Sequence, residues 1–281
     1  MRTSSAVRVY AHLLVAAAFV LLAAPAHAQY KPRPLSDPAT GEVYHIEGFA
    51  GFWFPDAAIE GSSSNLTVAP GTKIDFKKDL GLQNHGIGDL RVALRPIKWV
   101  KLRFEYTPIN YEQSTVLTRE IIFNGQKYTV NLPVNSSLDW KAYRFALETD
   151  VVSLDRWFLG FVLDAKYTDV TVSLDTPLIP RQFAEERAPV PGIGGIGRVY
   201  VVPNISITTE ITWFQLPDSL IKNTTGHYYD VDVYGTVNFT NNVGAQVGYR
   251  SIDFGYEVNT STGSSGAFTL KGLYFGIVAR Y

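Results

Sequence analysis

The sequence contains no cysteine and no cluster of basic residues, and after its first 28 residues it has no long apolar run. Without cysteine the chain forms no disulfide and carries out no thiol chemistry, which separates it from small exported domains stapled by disulfides. Its formal net charge is only −1, and without a basic patch we predict no nucleic-acid partner. A transmembrane helix needs about 20 apolar residues, so we predict none beyond the N-terminal region.

The N-terminal region has the three parts of a secretory signal peptide. Two arginines without an acid form a basic start, an apolar run covers residues 13–24, and an Ala-His-Ala cleavage site ends at residue 28. That run is shorter than the ~20 residues that a membrane anchor needs. We therefore predict a signal peptide over residues 1–28, cleavage before Gln29, and a short mobile periplasmic tail over the proline-rich residues 29–41.

Residues 42–281 alternate apolar and polar side chains with period two, which is typical of β-strands. Aromatic residues reach 13% of the chain, as suits a barrel with an apolar exterior and aromatic girdles. The alternation predicts ten strands, at residues 42–54, 86–95, 99–106, 137–151, 157–173, 192–202, 205–214, 227–239, 243–256 and 267–281. The register is open around the first long loop and the sixth strand, so counts of eight and twelve strands stay open.

The connections between these strands alternate in length. Five are long and polar, at residues 55–85, 107–136, 174–191, 215–226 and 257–266. A soluble β-sandwich would also alternate, but this asymmetry favours an outer-membrane barrel with short periplasmic turns, long extracellular loops and both termini in the periplasm. In the second long loop Asn124-Gly125 signals a two-residue hairpin, which we expect to extend two barrel strands above the membrane.

The last eleven residues, KGLYFGIVARY, alternate an apolar face with a face that carries glycines and an arginine. They resemble the C-terminal insertion signal of bacterial outer-membrane β-barrel proteins, and Gly272, Phe275, Ile277 and Tyr281 carry that resemblance. The region 42–281 is similar in architecture to the small barrels of the OmpA/OmpW-like, porin-like group. The segments IDFKKDLGL, IIFNGQKYTV and VNSSLDWKAYRF also resemble a set of uncharacterised outer-membrane proteins.

This resemblance implies an all-β, transmembrane, antiparallel up-and-down β-barrel in the bacterial outer membrane, without a cofactor. It implies contact with outer-membrane lipid and lipopolysaccharide, assembly by the barrel assembly machinery and periplasmic chaperones, and a monomeric state. The last strand would then close the barrel against the first strand.

Charged residues of both signs occupy the positions that would face the lumen. They are Asp89, Arg91, Arg95, Lys101, Arg103, Glu105, Arg144, Glu148, Asp164, Lys166, Arg198, Glu210, Asp230, Asp232, Arg250 and Arg280. A narrow barrel has little room beyond its side chains, and an unpaired buried charge is costly, so we expect opposite charges on adjacent strands to pair. The favoured interpretation is a salt-bridged, nearly closed barrel with a structural or surface-interaction role. A narrow passive pore for ions and small solutes is the other interpretation.

Catalysis would need a site at the rim, and only three histidines follow residue 28, namely His45, His85 and His227. We expect His85 and His227 near the outer rim, where a histidine beside an aspartate can act as a general base. The candidate partners are Asp79, Asp89 and Asp230. The spacing matches no catalytic motif, so we predict no enzyme activity and keep a lipid A-modifying or protease-like hydrolase as the alternative. The sequence shows no spaced set of metal ligands, and we predict no metal site.

Overall fold

The computed structural model describes residues 39–62, 71–177, 179, 181–217, 223–258 and 265–281. The predicted signal peptide and most of the predicted tail lie outside these residues. Within the described ranges, no helix is long and apolar enough to cross a membrane.

The described residues contain thirteen strands, numbered in chain order, and ten of them form one closed antiparallel sheet. The ten are β1 (Ile46–Ser62), β3 (Ile87–Ile97), β4 (Val100–Val116), β7 (Pro133–Ser153), β8 (Trp157–Asp175), β9 (Gln182–Val202), β10 (Ile205–Gln215), β11 (Thr224–Asn238), β12 (Val243–Val258) and β13 (Ser265–Arg280). Each pairs with the next along the chain, and β1 pairs with β13 from Glu47 opposite Arg280 to Ser62 opposite Ser265. The predicted ten-stranded barrel, closed by its first and last strands, is confirmed.

The barrel has two different ends. Turns at residues 98–99, 154–156, 203–204 and 239–242 connect the strands at the short-turn end, as predicted. At the long-loop end the strands run further than predicted, and β1 continues through Pro55 to Ser62. Proline lacks an N–H donor, so Pro55 is a reasonable predicted strand end, but Asp56 still pairs with Lys271 and the ladder continues.

The exterior of the barrel is an apolar band. Its exposed large side chains include Phe52, Leu102, Phe145, Leu163, Ile211, Val247 and Phe275. From Trp157 to Tyr167 in β8, exposed and buried residues alternate strictly, which confirms the period-two pattern predicted for this strand. The rings of Tyr106 and Tyr143 stack at 4.9 Å on this outer face, and Tyr143 pairs with Tyr167 on the next strand. A closed sheet has no unpaired edge, so this face is suited to contact lipid.

The chain differs from the prediction just before β1. Residues 42–45 precede the strand instead of opening it. In a strand over residues 42–54 the alternation would turn Tyr44 toward lipid and His45 toward the lumen. Instead Tyr44 is buried, with its ring centroid 5.2 Å from Cζ of Arg95 and 5.8 Å from Cζ of Arg280, and His45 is exposed. The two guanidinium groups attract the tyrosine ring into the mouth of the barrel, an effect that alternation along the sequence does not reveal.

Two connections at the long-loop end fold over the barrel and form a cap, defined as residues 71–85 and 117–132. They contain the short strands β2 (Ile74–Asp75), β5 (Ile121–Phe123) and β6 (Gln126–Tyr128). The buried apolar residues of the cap are Ile74, Phe76, Leu80, Leu82, Leu117, Ile121, Phe123, Tyr128 and Leu132. They belong to one core with inward-facing side chains of the barrel such as Trp53 and Trp140, so the upper lumen is filled.

The hairpin within the cap is partly as predicted. Asn124 and Gly125 have φ values of +49° and +79°, which confirms the two-residue turn. However, β5 and β6 form a separate two-stranded sheet and do not extend the barrel strands. The alternating residues Ile121, Phe123 and Tyr128 are buried, and burying such side chains favours folding the hairpin down onto the barrel.

Candidate functional site

Buried arginines and carboxylates from several strands fill the middle of the lumen. Arg144 on β7 donates to Asp164 Oδ2 at 2.6 Å and to Glu105 Oε1 at 3.0 Å. These two carboxylates lie on the strands adjacent to β7, as the sequence predicts. Arg144 also donates to Glu210 on β10, which is not adjacent to β7. One guanidinium therefore joins four strands.

Three further arginines reach across the lumen to a carboxylate on the far wall. The pairs are Arg91 with Asp232 at 2.7 Å, Arg103 with Glu210 at 2.7 Å and Arg250 with Glu105 at 3.2 Å. In each pair the two strands are four steps apart around the ring of ten. The sequence predicts pairing between adjacent strands only, but a barrel this narrow brings opposite walls within reach of an arginine. The side chains thus bridge the lumen.

Burial makes these bridges hard to separate. Each side chain in the three cross-lumen pairs is at most 11% exposed. An ion removed from such a site leaves its partner charged and without water, which costs about 3–5 kcal/mol. Arginine suits the position because its planar group binds more than one carboxylate at once.

The other predicted lumen charges lie beside this network or at the short-turn end. Lys101 donates to Glu148 and to Asp150, the latter at 3.2 Å, and Lys166 donates to Asp164. Arg91 also donates to Asp89 at 2.7 Å, and Arg250 donates to Asp230 at 2.8 Å. Arg95, Arg198 and Arg280 surround the mouth at the short-turn end.

Sequence reasoning missed two carboxylates of the lumen, Asp150 and Glu42. Asp150 has the same inward phase as Glu148 on β7, so the alternation contained the signal. Glu42 falls in the predicted strand 42–54, where alternation puts it on the outward face, but it precedes β1 and its side chain reaches Arg198.

The network leaves little free space. A cavity of about 40 Å³ lies against Tyr44, Lys101, Arg103, Arg198 and Tyr234. Ligand pockets usually measure about 300–1,000 Å³, so this cavity has room for a few water molecules and not for a solute of substrate size.

The cap is fastened by one ion pair between its two connections. Arg119 Nε donates to Asp79 Oδ1 at 2.7 Å, and Arg119 also donates to the carbonyl oxygen of Lys73 at 2.6 Å. The amide of Asp75 donates to Asp79 Oδ2 at 2.8 Å. The hydrogen bonds from Arg119 lower the pKa of the Asp79 carboxyl, although its burial opposes the shift. A backbone hydrogen bond of 3.0 Å from Thr72 to Ile122 adds to this connection.

The structure does not bring the rim histidines to their candidate partners. His227 Nε2 lies 2.9 Å from Asp253 Oδ1, and Asp253 in turn accepts a hydrogen bond of 2.9 Å from Thr269. His85 packs its ring against Tyr111 at 4.7 Å. Asp230 is instead bound to Arg250 inside the lumen. Among the described residues, no group of three or more potential ligands is arranged to hold a metal ion.

Comparison with known proteins identifies the fold. No family model and no curated protein sequence matches this chain. The crystal structure of the outer membrane protease OmpT from Escherichia coli matches with a TM-score of 0.54 and 8% identity, over 88% of this chain and 100% of that one. The toluene transporter TodX of P. putida matches at 0.36 with 7% identity, over 88% and 93%. The outer membrane protein AlkL matches at 0.35 with 13% identity, over 90% and 97%.

The similarity to OmpT concerns the fold alone, because so few residues are shared. The chain has the fold of an outer-membrane β-barrel protein. At this level of identity the similarity does not extend to the contacts inside the lumen, the cap or the mouth.

Proposed function

We propose that this chain is a closed outer-membrane β-barrel that serves as a rigid surface protein and does not conduct solutes. In this proposal the short-turn end and the termini face the periplasm, and the cap faces the outside of the cell. The apolar exterior band and the closed antiparallel ring support a place in the membrane.

The observation that carries the proposal is the bridging of the lumen by buried ion pairs. Arg91, Arg103 and Arg250 each bind the opposite wall, and the apolar cap covers the space above them. A hydrated ion would have to separate charges that are buried and paired, at a cost of several kcal/mol. This arrangement favours the surface role over a passive pore.

Planar-bilayer conductance tests the proposal. Purified wild-type protein should give no reproducible channel steps. A variant with the cap shortened to Gly-Ser linkers should also stay silent, because the ion pairs below the cap remain. The control that should conduct removes all three cross-lumen pairs, by combining the shortened cap with alanine at Glu42, Arg91, Arg103, Glu105, Arg144, Glu210 and Asp232. Reproducible steps from the wild type would contradict the closed barrel and favour the narrow pore.

The outer surface of the cap is the proposed interaction surface. Val130 of the cap is about half exposed, as is Val116 at the end of β4, and the same connection carries the exposed ion pair of Lys127 with Glu120. Cells that express the wild type should adhere to a surface or to each other more strongly than cells with residues 118–131 replaced by a Gly-Ser linker. Equal adhesion at equal surface level would remove this role.

The proposal includes a monomeric barrel in contact with outer-membrane lipid and lipopolysaccharide. It also includes delivery by periplasmic chaperones and insertion by the barrel assembly machinery through the last strand. In β13 the side chains of Phe275 and Ile277 face outward. Gly272 lies against β1, and its carbonyl accepts a hydrogen bond of 3.2 Å from the Trp53 indole.

The proposal assigns no catalytic role to the rim histidines. His227 and Asp253 are both more than 40% exposed. The Thr269 hydroxyl donates its hydrogen bond to the aspartate, so it is not placed as a nucleophile that the histidine would activate. Mass spectra of lipid A and of surface peptides should be the same for cells with the wild type, with His227→Ala and with an empty vector. A change that His227→Ala abolishes would support the hydrolase alternative.

A further inference from the structure

The mouth at the short-turn end is filled by the segment Thr40–Tyr44, which is not part of any strand. The amide of Thr40 donates to the Pro203 carbonyl at 2.6 Å, and the Asn238 side chain donates to the Thr40 carbonyl at 2.6 Å. Gly41 has a φ of +84°, and a Cβ at this position would lie 2.8 Å from Nη1 of Arg280. The chain therefore bends sharply across the mouth and sends the next side chain inward.

That side chain is Glu42, and its carboxylate is bound by the barrel wall. Arg198 Nη1 donates to Oε1 at 2.7 Å, and the Tyr200 hydroxyl donates to the same oxygen at 2.6 Å. Nη1 of Arg95 lies 3.5 Å from Oε2. Two donors on one oxygen, of which Arg198 is a cation, and a second cation near the other oxygen form a carboxylate site.

Wall contacts hold Arg198 and Arg95 in addition to their contacts with Glu42, whose main-chain carbonyl also accepts a hydrogen bond from Arg95 Nη1. Arg198 Nε donates to the Thr208 hydroxyl at 2.9 Å, and the Arg198 guanidinium lies 5.3 Å above the Phe158 ring. Arg95 donates through Nη2 to the Lys98 carbonyl at 2.9 Å. A site whose donors are fixed by other contacts remains ready to bind when its occupant leaves.

Glu42 differs from the other carboxylates of the described lumen because it alone lies outside a barrel strand. Asp150 and Glu148, for example, belong to β7 and cannot leave without unzipping the sheet. Withdrawal of Thr40–Tyr44 would leave every barrel strand paired, and it would leave Arg95 and Arg198 without the carboxylate that they share. The vacated site would attract an anion.

We propose that Arg95, Arg198 and Tyr200 form a receptor for a carboxylate ligand, and that Glu42 occupies this receptor as a tethered substitute. When Thr40–Tyr44 leaves the mouth, a small carboxylic acid that reaches the short-turn end takes the place of Glu42. The cavity of about 40 Å³ lies directly behind Arg198 and limits the ligand to a small body. The receptor does not depend on conduction, because the ion pairs in the middle of the lumen stay closed.

Chemical rescue by acetate tests the receptor in the full-length protein in detergent. Glu42→Ala should lower the midpoint of thermal unfolding, followed by the heat-dependent shift in gel mobility. Acetate should restore this midpoint, and chloride at the same ionic strength should not. Because Glu42 competes for the receptor in the wild type, acetate should act there only at concentrations about tenfold higher or more.

Two matched variants test whether the rescue by acetate depends on the proposed receptor. Glu42→Ala with Arg198→Ala should lose the rescue, because the main donor is gone. Glu47→Ala removes another carboxylate of the short-turn end, the one that pairs with Arg280. Glu47 lies on β1, and in this variant Glu42 still occupies the receptor, so acetate should not restore the midpoint. Equal rescue of Glu47→Ala, rescue that survives Arg198→Ala, or equal rescue by chloride would each overturn the receptor.

A second measurement follows the segment itself and covers the case in which Glu42→Ala folds poorly. The chain has no cysteine, so Gln246→Cys places a single thiol at the wall of the cavity. A charged methanethiosulfonate reagent should label this thiol slowly in the otherwise unchanged protein. It should label it several times faster with Glu42→Gln, which keeps the side-chain size but lacks the charge. Equal labelling in both backgrounds would contradict a displaceable segment.

Discussion

Replacing Asp79 by asparagine should loosen the cap without opening the middle of the lumen. The Asp79 carboxylate accepts hydrogen bonds from Arg119 and from the amide of Asp75, so one side chain connects the two halves of the cap. Hydrogen bonds to charged groups contribute about 1.5–3 kcal/mol each in net terms. Arg119 is 43% exposed, and solvent screening weakens its share, so we expect a loss of about 1–2 kcal/mol in the stability of the cap.

Amide hydrogen exchange read by mass spectrometry measures this loss locally. A change of about 1–2 kcal/mol makes the opened cap about 5 to 30 times more populated, and exchange over residues 71–85 and 117–132 should accelerate to match. Glu120→Gln is the matched control, because its ion pair with Lys127 in the same cap is exposed and contributes little. Unchanged exchange in Asp79→Asn, or an equal effect of Glu120→Gln, would refute the clamp.

The pH dependence of the cap provides a further check. Hydrogen bonds from Arg119 hold the pKa of Asp79 below its ordinary value, against the effect of burial. A carboxyl with a lowered folded-state pKa stabilises fully above its unfolded pKa of about 3.9, and this stabilisation is lost as the pH falls through the folded value. Exchange of the wild-type cap, corrected for intrinsic rates, should therefore rise below about pH 4. Asp79→Asn should lack that rise, and an identical rise in both proteins would exclude Asp79 as its source.

Three other substitutions test the lumen and the closure of the barrel. Arg144→Ala should lower the free energy of unfolding by about 3–5 kcal/mol, because it removes a cation that three buried carboxylates share. Tryptophan fluorescence in urea measures this loss, and a loss below about 1 kcal/mol would contradict the expectation. Gly272→Val should abolish the folded, heat-modifiable band, because a Cβ there would lie 2.0 Å from the Phe54 carbonyl oxygen, whereas Gly48→Ala, with nothing within 4 Å, should keep it. Deleting Tyr281 should reduce the level of protein in the outer membrane, because its carbonyl accepts backbone hydrogen bonds from His45 and from Ile46, the first residue of β1. Normal levels would count against this role.

Period-two alternation is enough to place Phe161 outside and Asp164 inside, because a strand has only two faces. The same pattern cannot identify Asp232 as a partner of Arg91, which lies 141 residues away. That pairing depends on which strands face each other across the lumen, and this follows from the number and tilt of the strands in the closed ring. Local sequence thus determines the wall, and ring closure determines the contacts inside it.

The cap and the mouth were harder to predict for a different reason. Asn124-Gly125 correctly predicts a turn, but the direction in which the hairpin folds depends on the apolar core that it meets. Glu42 and Tyr44 fall within the predicted strand 42–54, but the strand begins at Ile46, and their inward direction results from arginines of β3, β9 and β13. In both places packing against distant strands decides the conformation, so no local propensity contains the answer.

The lumen is closed at three levels, by the segment Thr40–Tyr44, by the buried ion pairs in the middle and by the cap. These closures differ in how they can be removed. The segment Thr40–Tyr44 and the cap lie outside the ten barrel strands, so displacing either would leave those strands paired with one another. Arg103 and Glu210 belong to strands, so they can separate only by moving their side chains into space that the neighbouring charges already fill. Displacing the segment or the cap would therefore open a cavity at one end of the barrel that does not lead through to the other end. A conducting path would require the buried ion pairs to break as well, which is why a ligand at the short-turn end should bind without passing through.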